Sequence, residues 1–140
     1  MITLFWCPKT RASRALWMLN ELGEPFEARM TDIRDPENIG DPDFDKASPM
    51  GKVPALMDTS GEGTVYMADS AAICLYLADR YSSGQLAPAL DDGARATYLR
   101  WILFAPSVIE PCAYAKHGNW EYRPGSAGWG PWDEMHSSIE

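Results

Sequence analysis

Apolar positions in this chain fall into short blocks whose period changes along the sequence. Residues 2–6, Ile-Thr-Leu-Phe-Trp, form an apolar and aromatic run of strand length. After Cys7-Pro8-Lys9 the period shifts. Ala15, Met18, Leu19 and Leu22 follow the i, i+3, i+4, i+7 spacing of one helix face, with Thr10 placed to cap that helix and Gly23 to end it. Residues 25–30 alternate weakly, Phe26 and Ala28 against Glu27 and Arg29, which predicts a second strand parallel to the first across a βαβ unit. From 31 to 48 the chain is polar, broken by Pro36, Gly40 and Pro42, and carries six acids against Arg34 and Lys46, so a loop with one short helix is expected. Residues 53–57 and 64–67 read as two strands. The intervening Asp58-Thr59-Ser60-Gly61-Glu62-Gly63 has hairpin composition, so the pair is expected to be antiparallel.

Asp69 or Ser70 can cap the next helix, which is expected to reach about Tyr81. Its residues 71–78 carry no charge, which predicts packing nearly all round. Residues 82–90 read as a linker between a domain spanning 1–81 and a helical unit spanning 91–140. Asp91-Asp92 can start a helix in which Tyr98, Trp101, Ile102 and Ala105 keep helical spacing; Pro106 is expected to interrupt it, and Glu110-Pro111 to end or kink it. Residues 117–132 are rich in Gly, Pro and Trp without periodicity, and 132–139 look like a new amphipathic segment. One helix and a fraction of another cannot bury their own faces, so the helical unit is expected to be an incomplete all-α domain.

Composition narrows the function classes. At 140 residues and 46% hydrophobic, the chain can bury a core, while a net charge of −8 argues against nucleic acid and against an anionic membrane surface as partners. No apolar run approaches the roughly 18–20 residues of a membrane span, and the N-terminus lacks a charged leader, so a cytoplasmic location is expected. Cys7, Cys74 and Cys112 are too few and too far apart for a disulfide framework, and with only His117 and His136 beside them no metal site is expected.

The element order β-α-β-β-α, with Cys-Pro after the first strand and Val-Pro at the third, is the thioredoxin-like α/β arrangement. Three stretches are more specific: Thr10-Arg11-Ala12-Ser13-Arg14-Ala15-Leu16-Trp17 through Glu21-Leu22-Gly23; Pro49-Met50-Gly51-Lys52-Val53-Pro54-Ala55-Leu56; and Asp69-Ser70-Ala71-Ala72-Ile73-Cys74-Leu75-Tyr76-Leu77-Ala78. In this order they resemble the glutathione S-transferase family, and Leu99-Arg100-Trp101 through Glu110-Pro111 resembles the first helix of that family's helical domain, in the manner of bacterial members.

The resemblance implies glutathione as co-substrate and a small electrophile as its acceptor. It implies a cis bond at Val53-Pro54, with the Val53 backbone pairing to the cysteinyl part of glutathione. Ser70 would bond the γ-glutamyl carboxylate, Asp69 the α-ammonium and Lys52 the glycyl carboxylate. Asp69 stands where many members carry Glu. The thiol must be activated near the first helix, where a hydroxyl or a backbone N–H can stabilise a thiolate. Thr10, Ser13 and Cys7 compete for that role, Cys7-Pro8 resembling the omega class and glutaredoxins, in which cysteine forms a mixed disulfide with glutathione. Position 10 holds no second cysteine, so such a site would be monothiol. Trp6, Tyr98, Trp101, Phe104 and Tyr114 are candidates to line an electrophile pocket. Conjugation of glutathione, Cys7-dependent thiol transfer and a non-catalytic docking module all fit; the complete protein is expected to be a homodimer.

Overall fold

The computed structural model describes residues 1–35 and 40–118. The segments 119–132 and 132–139, with His136, lie outside the described residues.

Met1–Arg95 form one compact unit. Its elements are β1 (Ile2–Trp6), α1 (Ala12–Leu22), β2 (Phe26–Met30), α2 (Pro42–Ala47), β3 (Ala55–Asp58), β4 (Val65–Ala68) and α3 (Ser70–Tyr81). The strands make one sheet in the order β2-β1-β3-β4, with β1 parallel to β2 and antiparallel to β3, and β3 antiparallel to β4. This is the thioredoxin-like arrangement.

Strand alternation divides the core into two layers. Ile2 and Leu4 of β1 and Leu56 of β3 face Ala15 and Leu19 of α1 and Ile73 and Leu77 of α3. On the opposite face Phe5, Ala55 and Met57 meet Phe44 and Ala47 of α2, and the Phe5 and Phe44 rings lie 5.5 Å apart. Leu4, Phe5, Leu19, Leu56, Ile73 and Leu77 are fully excluded from solvent, each contributing about 1.5–3 kcal/mol of transfer free energy. As the uncharged stretch predicts, none of residues 71–78 is exposed.

Local chemistry sets the helix ends. Gly23 adopts φ 71°, a left-handed conformation that glycine enters freely, and its N–H donates to the Leu19 carbonyl to close α1. Thr10, expected as the cap of α1, lies one residue before the N-cap position, which Arg11 occupies with helical φ and ψ and no side-chain cap bond; Thr10 Oγ1 still accepts from the Ala12 amide at 3.2 Å. The short helix expected in the 31–48 loop is α2. Asp41 caps it by accepting from the Asp43 and Phe44 amides, and Arg29 of β2 grips the same carboxylate at 2.8 Å, tying α2 to the sheet.

The described residues from Ala96 onward belong to a second unit. Pro106 interrupts the α-helix as expected, whereas Glu110-Pro111 begins a further helical segment rather than ending or kinking the first. After α4 (Ala94–Phe104) the chain continues through a π-helical turn, Ala105–Ile109, into α5 (Glu110–His117). Each proline lies in the first turn of its segment, where its missing N–H takes no bond from that segment's ladder, and the wider π turn carries the chain past the ring. No described helix is long and apolar enough to cross a membrane.

The end of β3 carries a buried acid that the hairpin reading assigned to the turn. Asp58, 1% exposed, accepts hydrogen bonds from the Tyr76 and Tyr81 hydroxyls and, at 2.9 Å, from the Ser60 amide, with Arg80 Nε at 3.5 Å. Burial pushes its pKa up, but the Tyr81, Tyr76 and Ser60 hydrogen bonds outweigh that and bring it down to about 2. A folded-state pKa below the unfolded value of roughly 3.9 stabilises the fold above that value, and the contribution disappears as pH falls through about 2. We expect Asp58→Asn to cost on the order of 2 kcal/mol at pH 7 in urea unfolding, and the difference from wild type to shrink between about pH 4 and 2.

Candidate functional site

The register of the sheet explains why distant parts of the sequence converge. Phe5 pairs with Ala55, and Ala55 pairs with Ala68, so these three residues form one row across β1, β3 and β4. Beyond that row the chain leaves the sheet on one side. β1 runs out into Cys7 and the start of α1, β3 is entered through Val53-Pro54, and β4 passes directly into Asp69 and α3.

A cavity of about 400 Å³ opens at this end. It is lined by Lys52, Val53, Pro54, Asp69 and Ser70, the five residues singled out for binding, together with Arg11, Ser48, Pro49, Met50 and Ala68. The Val53-Pro54 bond is cis. Ser48 shapes the approach to that bond: its Oγ accepts from the Lys52 amide at 2.8 Å and its carbonyl from the Gly51 amide at 2.8 Å, a turn completed by Gly51 at φ 62°. Pattern reading missed Arg11, Ser48, Pro49, Met50 and Ala68 as lining residues. The Thr10-Arg11-Ala12-Ser13 stretch offered a signal for Arg11 and the Pro49-Met50-Gly51-Lys52 stretch one for Pro49 and Met50; Ser48 and Ala68 had none.

Asp69 sits at φ 76° and ψ 128°, a conformation that costs a non-glycine residue roughly 1–3 kcal/mol. Its carboxylate offsets that cost by accepting from the Ala71 and Ala72 amides at 2.9 and 3.0 Å, at the positive end of α3. Ser70, the first residue of α3, follows directly and lines the cavity. Ser70 is 2% exposed and its Oγ accepts from Arg14 Nη1 at 3.3 Å.

The three candidates for thiol activation are not among the lining residues. Thr10 donates its hydroxyl to the Cys7 carbonyl at 2.6 Å, and Ser13, exposed on α1, donates to the Thr10 carbonyl at 3.2 Å. Cys7 is 1% exposed and packs with Phe5, Ala12 and Val53 in the core layer under α2. Its Sγ lies 3.7 Å from Asp32 Oδ1 and 3.5 Å from Arg34 Nη1, so the cation beside it is Arg34. Cys74 is half-buried in α3, and burial pushes its thiol pKa up.

Comparison with known proteins agrees with this fold. The family model for the glutathione S-transferase N-terminal domain matches residues 6–80, more than half of the chain. The chain belongs to the glutathione S-transferase family. Glutathione S-transferase 3 of Schizosaccharomyces pombe is 33% identical over 118 residues, covering 84% of this chain and 46% of that protein. Glutathione S-transferase Z2 of Arabidopsis thaliana is 42% identical over 71 residues, covering 51% of this chain and 30% of that protein. A glutathione transferase family member from Pseudomonas fluorescens pf-5, solved with two glutathione bound, superposes with a TM-score of 0.70 at 29% identity, covering 97% of this chain and 60% of that one. The chain thus spans about half the length of the first of these transferases.

The cap at Asp69 can be tested apart from any ligand. Asp69→Asn keeps a side-chain oxygen for the two amides and a residue tolerant of positive φ, whereas Asp69→Ala loses both. Urea unfolding at pH 7 is expected to show Asp69→Ala less stable than wild type by about 1–2 kcal/mol and Asp69→Asn within roughly 0.5 kcal/mol.

Proposed function

We propose that the cavity binds glutathione and that the complete protein transfers the glutathione thiol to an electrophile. The carrying observation is charge matching: Arg11 and Lys52 supply two cations and Asp69 one anion around a single cavity. Glutathione presents the complement, two carboxylates and one ammonium. The γ-glutamyl end would lie at the start of α3, its carboxylate on Ser70 and its ammonium on Asp69, and the glycyl carboxylate would reach Lys52. The cysteinyl part would pair with the Val53 backbone as one more extended strand. Glutathione bound to the Pseudomonas fluorescens family member supports the same reading.

Within this reading Thr10 is our choice for the thiolate donor. Its hydroxyl stands at the positive end of α1, and rotation from the Cys7 carbonyl would aim the same proton at a thiolate. Ser13 is the second choice, since its hydroxyl is turned back along the helix. Thiol transfer through Cys7 requires a disulfide partner to reach a sulfur that is 1% exposed, and the reading as a conjugating enzyme avoids that requirement.

Isothermal titration of glutathione into the chain should show binding that Asp69→Asn weakens by roughly tenfold or more through the lost ammonium contact. Wild-type affinity in Asp69→Asn would contradict the assignment. For the complete protein, we expect Thr10→Ala to slow conjugation to a chloronitroarene by on the order of 100-fold and Cys7→Ser to leave it within about twofold; the reverse pattern would favour the thiol-transfer mechanism.

A further inference from the structure

A second cavity, of about 450 Å³, opens between α2 and the segment that follows β2, and the glutathione reading gives it no role. It shares only residues 48–50 with the cavity described above. Its volume falls within the roughly 300–1,000 Å³ of small-molecule sites. The two linings have opposite charge. The first cavity carries Arg11 and Lys52 against Asp69, whereas the second carries Asp32 and Asp45 and, among its described lining residues, no cation. The basic side chains nearby are engaged elsewhere: Arg29 pairs with Glu27 and Asp41, and Lys46 with Asp43 at 3.6 Å. Arg34 stands 3.9 Å from Asp32 Oδ1 and also reaches Cys7 Sγ, while among the described residues no ion pair engages Asp45.

Ser48 adds an independent requirement. It is 3% exposed and lines the cavity; its Oγ accepts from the Lys52 amide, and among the described residues no acceptor takes its proton. A buried donor left unpaired costs roughly 1–3 kcal/mol, which a carbonyl on a ligand would remove. Ile33, Phe44 and Met50 give the cavity an apolar wall, and the thioether of Met50, 83% exposed, suits an aromatic ring. Among the described residues no three metal-ligating side chains come together, and an apolar wall favours an organic cation over a metal ion. We propose that this cavity binds a small primary amine with an apolar body and a carbonyl, the chemistry of an apolar amino-acid amide. The ammonium would sit with Asp45 and Asp32, the carbonyl would accept from Ser48, and the apolar side chain would cover Phe44 and Met50. The site is independent of the glutathione reading.

The test is titration calorimetry on the 140-residue chain at about pH 6, where both an α-ammonium and the two carboxylates are charged. The probes share one ring: phenylalaninamide; 3-phenylpropanamide, which lacks only the ammonium; phenethylamine, which lacks only the carboxamide; and 3-phenylpropanoate, an anion. Wild type is expected to bind phenylalaninamide roughly tenfold tighter than 3-phenylpropanamide and about threefold or more tighter than phenethylamine, with no measurable binding of the anion. The Asp32→Asn, Asp45→Asn double variant keeps an oxygen for the Arg34 amide and should bring phenylalaninamide within about threefold of 3-phenylpropanamide. Ser48→Ala should erase the advantage over phenethylamine; if that variant does not fold, the wild-type pair still reads the carbonyl contact. Amide chemical shifts of the labelled chain should move most at residues 31–33 and 44–51. Equal binding of the charged and uncharged amides, a preference that survives in the double variant, shifts centred on residues 68–70, or no binding of phenylalaninamide at millimolar concentration overturns the site.

Discussion

The antiparallel pairing of β1 with β3 is the constraint on which the rest of this structure depends. Because Phe5 opposes Ala55, and Ala55 in turn opposes Ala68, three chain segments leave the sheet at one level. Had β3 run parallel to β1, Val53-Pro54 would enter at the far end of the sheet, away from the start of α1. Had the hairpin slipped by one residue, the buried faces of β3 and β4 would have exchanged, and the apolar layers against α2 and against α1 and α3 would both be lost. The cavity is therefore a by-product of core packing. Its position is set by the same Leu4, Phe5 and Leu56 contacts that stabilise the domain.

Fine positioning rests on polar groups anchored by that core. Asp69 is held in an unfavourable backbone conformation by two amides, which places Ser70 at the first position of α3, beside the cavity. Ser48 does similar work on the other side, where its side-chain and main-chain oxygens fold residues 48–52 toward the cis bond. Behind Ser48, α2 is fastened to β2 by Arg29 through the Asp41 cap. Each of these contacts links a rigid element to a short loop, so the loop residues inherit the order of the sheet.

Much of this was legible in the sequence because it is local. Apolar period distinguishes β1 from α1, Gly23 ends α1, and the composition of residues 59–63 turns the hairpin. Asp69-Ser70 reads as a cap from its place before an uncharged apolar run. What could not be read depends on contacts across long separations. Arg34 lies 27 residues from Cys7, and Arg14 lies 56 from Ser70; neither spacing matches any helix or strand period. Cys7 shows the same limit, since end-of-strand burial and a reactive thiol at a helix start share one sequence pattern, and only the packing against Phe5, Ala12 and Val53 separates them. Pro106 ends the α-helical ladder as its ring requires, but a π turn keeps the chain helical as far as Glu110-Pro111, where α5 starts, and no sequence signal distinguishes that continuation from an end.

The central claim is that the ends of β3 and β4 and the start of α3 form one glutathione site. It is tested most directly by amide chemical-shift mapping on the isotope-labelled chain during titration with glutathione. The account predicts the largest saturable shifts at Lys52, Val53 and residues 68–72, with the Asp58 end of the sheet unmoved. Saturable shifts centred elsewhere, or none at millimolar glutathione on a folded chain, would contradict it.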